Sequence, residues 1–130
     1  MNVYQKRISQ AVDKLFPEMI RVARIIGTNP EFALREFSAP EILTSFLKKN
    51  GFEVKKGVAG IKTAFVGEYH RGKGPNIGFL AEYDALPGIG HACGHNLIGA
   101  SGCGAAIALA KGYPNFSGTI TVVGCPAEEG

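Results

Sequence analysis

The sequence predicts an α/β fold, and three observations carry that expectation. Residues 76–83 are almost continuously apolar, residues 97–111 form an alanine-rich stretch of helical length, and residues 119–125 are a second strand-like apolar run. Strand, helix and strand in that order make a βαβ unit, which implies a parallel pair and a right-handed crossover. Two glycine-rich acidic segments, 83–96 and 126–130, then leave the two strands at the same sheet edge, where the ligands of such sheets collect.

The remaining elements follow from local pattern. Along residues 4–26, Ile8, Val12, Leu15, Met19, Ala23 and Ile26 recur at helical spacing, and Pro17 interrupts them, so this is one kinked helix or two short ones. Ser38 with Glu41 forms a capping box, Pro40 suits a first turn, and Ile42, Leu43, Phe46 and Leu47 make an apolar stripe that stops at Asn50-Gly51. Residues 62–69 alternate, with Thr63, Phe65 and Gly67 opposite Ala64, Val66 and Glu68, and read as a strand. The continuous apolar run 76–83 reads as a central strand. In the helix 97–111, Gly99, Gly102 and Gly104 each cost about 1 kcal/mol in propensity but permit close approach to a sheet.

Composition sets the class. At 130 residues, 45% apolar and 19% charged, the chain has the make-up of one globular domain rather than a disordered segment. Its 25 glycines and prolines, concentrated after Gly57, indicate tight turns. Three cysteines without framework spacing, and no apolar leader, fit a reducing cytoplasm. No stretch approaches the roughly 20 uninterrupted apolar residues of a membrane span, so no membrane is expected as a partner. The last residues follow directly on a strand-like run, which suggests that residues 1–130 are a piece of a longer protein.

Charge is distributed unevenly. Thirteen of the fourteen basic residues lie between Lys6 and Lys73, whereas from Gly74 to Gly130 Lys111 is the single cation among Glu82, Asp84, Glu128 and Glu129. A bound cation is the natural missing counter-charge. The scattered N-terminal basic residues have no interleaved aromatics, so no nucleic-acid partner is expected.

Cys93-Gly94-His95 offers a thiolate and an imidazole two residues apart, with Gly94 free to aim both at one point; the alternative is a small buried hydrophobe beside a surface histidine. Adjacent Glu128 and Glu129 repel unless a cation or a shared proton intervenes, so one could bind metal while the other acts as base; otherwise they are a solvated pair. Asp84 could hold a ligand histidine in its tautomer or cap a turn before Pro87. His91 could serve the site or a substrate, or be a turn histidine bonded to backbone. Cys103 and Cys125 read as core residues, and His70 as an exposed loop residue.

The ordered motifs Asp84-Ala-Leu-Pro87, His91-Ala-Cys-Gly-His95 and Pro126-Ala-Glu-Glu-Gly130 resemble the two-metal amidohydrolase branch of the aminoacylase and carboxypeptidase family of metallopeptidases. That branch holds hippurate, auxin-conjugate and aminobenzoyl-glutamate hydrolases. Asn29-Pro-Glu-Phe32, Arg35-Glu36 and residues 47–54 resemble its N-terminal helical region. The forms Glu82-Tyr-Asp84 and His95-Asn96 depart from the commoner Asp-Met-Asp and His-Asp, and look closer to the aminobenzoyl-glutamate hydrolase and dipeptidase-like members.

The resemblance implies the N-terminal portion of a three-layer αβα, zinc-peptidase-like catalytic domain with a mixed sheet, the smaller dimerisation domain being absent from these residues. It implies Cys93, His95 and Glu129 as metal ligands, Glu128 as general base and Asp84 as a supporting catalytic residue, with the remaining ligand histidines beyond residue 130. The expected cofactors are two divalent ions of Zn, Mn, Co or Ni. The expected activity is cleavage of the amide bond of N-acyl amino acids or small dipeptide-like substrates by a homo-oligomeric protein, the fragment alone being inactive. The alternative is a non-catalytic α/β module that binds a small molecule or one structural ion through Cys93, His95, Glu129 and His91.

Overall fold

The computed structural model describes residues 1–130. In chain order the elements are α1 (Val3–Thr28), α2 (Ser38–Lys49), β1 (Glu53–Lys56), a 3-10 turn (Val58–Gly60), β2 (Phe65–Arg71), β3 (Asn76–Glu82), α3 (His95–Gly112) and β4 (Gly118–Cys125). The sheet order is β1-β2-β4-β3. β1 with β2 and β2 with β4 are antiparallel, whereas β3 and β4 are parallel, joined through α3 as the expected βαβ unit. The class and the mixed sheet are those expected.

α1 is one continuous helix despite Pro17. Its first turn is closed by a capping box between Asn2 and Gln5, and Leu15, Val22, Ala23 and Ile26 make a buried stripe against the rest of the core. That stripe runs on both sides of the proline and holds both halves against α3. A Cβ on Gly112 would lie 2.6 Å from Ile8 Cα, so this glycine sets how closely α1 and α3 approach.

The capping box expected at Ser38 and Glu41 does not form, because Ser38 is already the first helical residue and Phe37 is the N-cap. The cap comes from upstream instead. The Glu31 carboxylate accepts from the amides of Phe37, Ser38 and Ala39 at 2.8–3.1 Å, placing negative charge at the positive end of α2. The expected stop holds: α2 ends at Lys49, and Gly51 takes φ +91°.

Two sequence expectations about strands are corrected. Within residues 1–130 β3 lies at the edge of the sheet and not at its centre; β4 inserts between β2 and β3. A run apolar on both sides suggests a strand covered on both faces, but here helices cover one face, so Ala81 is buried while Leu80 is 61% exposed. His70 is a strand residue rather than a loop residue: it lies in β2, with Nδ1 3.0 Å from Thr119 Oγ1. The buried strand residues Phe65, Ala81, Ile120 and Val122 face the helices. Residues 1–130 thus supply a helical layer and a sheet layer.

α3 lies directly on the β3 backbone. A Cβ on Gly99 would stand 2.8 Å from Glu82 O, and one on Gly102 would stand 2.5 Å from Leu80 O, which is the close approach the glycines were expected to allow. Tyr83, just past β3, is fully buried, stacks on Phe65 at 5.9 Å between ring centroids, and donates its hydroxyl to Thr63 O at 2.7 Å.

Glu31→Ala leaves three amides of the α2 N-terminus without their acceptor and is expected to cost about 1–2 kcal/mol, read as a lower urea midpoint at unchanged slope. Stability is also expected to fall in alkali. Burial raises the Cys103 thiol to about 12, and burial, reinforced by Glu36, raises the Tyr83 phenol strongly. Both groups are held neutral when folded, so their contribution is complete below the unfolded values of about 8.5 and about 10 and is lost as pH rises above each. Urea titrations at pH 8, 9.5 and 11 should show wild type weakening in both steps, the first being smaller in Cys103→Ala and the second smaller in Tyr83→Phe.

Candidate metal centre

The centre is built where the two parallel strands end. Glu82 and Cys125 are partners on the last rung of the β3–β4 ladder, so the segments that follow them start side by side. After β3 the chain pairs briefly with the α1–α2 connection, through an isolated bridge from Phe32 to Ala85 and the bond from Ala85 N to Glu31 O at 2.8 Å. It then turns through Gly88, Gly90 and Gly94, all at positive φ, and enters α3 at His95. After β4, Ala127 adopts φ +56°, and Glu128 and Glu129 follow.

His95 is 4% exposed. Its Nδ1 lies 2.9 Å from Asp84 Oδ1 and 3.1 Å from Asp84 O. Both neighbours only accept, so Nδ1 carries a proton and Nε2 is the ring nitrogen that faces outward. Around Nε2 stand Glu82 Oε2 at 3.4 Å, Glu128 Oε2 at 3.6 Å and Glu129 Oε1 at 3.8 Å. No lysine or arginine pairs with these carboxylates. Ligand atoms of Glu82, His95 and Glu128 all lie within 4.8 Å of one another. Two unit charges at that separation repel by about 1–3 kcal/mol in a partly solvated site. An imidazole nitrogen and three carboxylates converging without a counter-charge are a donor set that fits a divalent cation.

Of the residues singled out in the sequence, Asp84, His95, Glu128 and Glu129 meet here. Asp84 is 2% exposed, and its second oxygen accepts from Glu129 N at 3.0 Å. Cys93 is exposed and stands at the rim. Its thiol is raised above the usual range, first by hydrogen bonding to the Glu129 carboxylate, then by local desolvation and the charges of Glu129, Glu128 and Asp84. His91 is half-buried, and both ring nitrogens are shielded from water with no protein partner; desolvation and then neighbouring His95 hold its pKa below the usual value. Cys103 is a core residue, whereas Cys125 is half-buried at the strand end, its thiol raised by burial and then by Glu82.

Glu82 belongs to the cluster although it was not among the ligands expected from sequence. The signal was strand alternation: buried Tyr83 points into the core, so its neighbours Glu82 and Asp84 leave on the opposite side.

No family model matches the chain. It is 38% identical over 128 residues to a p-aminobenzoyl-glutamate hydrolase polypeptide of Escherichia coli K12, covering 84% of this chain and 26% of that protein. It is 34% identical over 146 residues to the human Xaa-Arg dipeptidase, covering 99% of this chain and 34% of that protein. Among solved structures, a Bacillus subtilis protein described as a dinuclear metal-binding peptidase of the M20 family superposes with TM-score 0.80 at 28% identity, over 90% of this chain and 36% of that one. The chain therefore spans about a third of the length of the proteins it matches. Over that stretch it is similar to a p-aminobenzoyl-glutamate hydrolase, an Xaa-Arg dipeptidase and a dinuclear metal-binding peptidase of the M20 family.

Proposed function

We propose that these residues carry part of the active site of a metal-dependent amidohydrolase acting on N-acyl amino acids or small dipeptide-like amides. The observation behind the proposal is the buried His95, fixed through Nδ1 by Asp84 and presenting Nε2 to three carboxylate oxygens at 3.4–3.8 Å. An aminobenzoyl-glutamate hydrolase and a dipeptidase among the relatives support a small amide as substrate.

His95, Cys93 and Glu129 would hold metal, with Glu82 as a further carboxylate donor. Imidazole, thiolate and carboxylate together suit Zn, Mn, Co or Ni. Two bound divalent ions would supply Lewis acidity and a water of lowered pKa. The protein's own part is proton handling and orientation. The Glu128 side chain is 49% exposed against 32% for Glu129, which leaves Glu128 freer to turn toward a substrate, take a proton and return it to the leaving amine. Asp84 holds the ligating face of His95 outward. Contact of His91 with a substrate would first require its ring to turn outward, because both nitrogens are shielded from water. The three free thiols fit a reducing compartment, so the whole protein is proposed to be cytoplasmic and, by its family resemblance, homo-oligomeric.

In the complete active site, Glu128→Gln is expected to lower kcat by about 10²–10⁴-fold while metal content, measured by elemental analysis, stays the same; parallel loss of metal would make Glu128 a ligand instead of the base. Iodoacetamide labelling separates the thiols. Cys93 is expected to react first and to be protected by added zinc, whereas Cys103 should react only after unfolding, as mass spectrometry of the alkylated peptides would record. A Cys93 labelled equally fast with and without zinc would remove it from the ligand set.

A further inference from the structure

Glu36 is fully buried, yet its carboxylate has one hydrogen bond: Oε1 accepts from Ala127 N at 2.8 Å, and Oε2 has no partner. Burying a carboxylate is unfavourable unless hydrogen bonds or a counter-charge offset the loss of hydration. No cation pairs with Glu36. The group is therefore poorly explained as a stabiliser of the fold, and its one contact indicates where it acts.

That contact falls at a strained point. Ala127 adopts φ +56°, the left-handed region that a residue with a Cβ disfavours, and it immediately precedes Glu128. On the other side of Glu128, the amide of Glu129 is held by Asp84 Oδ2 at 3.0 Å. Glu128 thus hangs between two amides, each anchored by a buried carboxylate, with its own Oε2 3.6 Å from His95 Nε2. Releasing one anchor frees Ala127 to return to the more favourable backbone region, which would swing the Glu128 side chain away from His95.

We propose that Glu36, from the connection between α1 and α2, is a positioning residue: by accepting the Ala127 amide it holds the backbone that aims Glu128 and Glu129 at His95. Its value to metal binding rests on the hydrolase reading above, but its effect on the loop does not.

The test compares wild type, Glu36→Ala and Glu36→Gln in the 130-residue chain, with two readouts. Amide hydrogen exchange by NMR, without metal, reports the loop: Ala127 should exchange at least tenfold faster in Glu36→Ala, while Ile120 and Val122 in β4 keep their rates. Glu36→Gln retains an acceptor oxygen at the same reach and should restore most of the protection. Cobalt titration reports the centre: Glu36→Ala should bind about tenfold more weakly with an altered visible spectrum, and Glu36→Gln should recover both. Unchanged Ala127 exchange in Glu36→Ala, or an equal rise at Ile120 and Val122, would overturn the proposal, the second outcome making Glu36 a general stabiliser. If Glu36→Ala fails to fold, Glu36→Gln decides: a wild-type spectrum with Ala127 protected supports the proposal, and loss of Ala127 protection overturns it. A wild-type chain that binds no cobalt would mean that the centre needs the ligand histidines expected beyond residue 130, and the exchange rates would still decide the role of Glu36.

Discussion

Asp84 is the constraint on which the site depends. It is almost fully buried, and each of its acceptors is used: one carboxylate oxygen and the backbone carbonyl face His95 Nδ1, and the other carboxylate oxygen holds the Glu129 amide. One residue therefore fixes the tautomer of the imidazole at the start of α3 and the position of the acidic pair after β4. A carboxylate tolerates such burial when charge-assisted hydrogen bonds replace its water. Its place in the chain is fixed in turn by Tyr83, whose ring lies in the core and whose hydroxyl reaches Thr63.

The electrostatics of the centre depend on where the cations are not. Among the basic side chains of α1, α2 and β1, Lys49 and Arg21 pair with Glu18 and Lys56 pairs with Glu41. None reaches the end of β3 and β4. A lysine there would neutralise the acidic group as a point charge with its own hydration and leave no vacancy for a metal ion. Three carboxylates facing one imidazole nitrogen instead make a negative pocket selective for a small multivalent cation.

Much of this was legible in the chain. The βαβ unit, the convergence of two acidic segments at one sheet edge, and the close packing of α3 through its glycines followed from hydrophobic period and residue size. What failed shares one cause. The placement of β3 at the edge, the capping of α2 by Glu31 and the anchoring of Ala127 by Glu36 all depend on partners distant in sequence, and such pairings leave no local pattern. The expected capping box is instructive: the serine and glutamate have the correct spacing, but the helix starts one residue early and takes its acceptor from the preceding loop. Glu82 was the exception, since alternation around Tyr83 already placed it beside Asp84.

The bonds that assemble the centre close long stretches of chain: 11 residues from Asp84 to His95, 45 from Asp84 to Glu129 and 91 from Glu36 to Ala127. Because the entropy of closure must be lost before such contacts contribute, pairings of this separation form late and slow the search for the native state. The helices and the β1–β2 hairpin can form early, whereas the constellation around His95 exists only once β4 has docked between β2 and β3. A folding intermediate would therefore have much of its secondary structure and no centre, so any ion the centre takes would be captured after the fold is complete and would not be its nucleus.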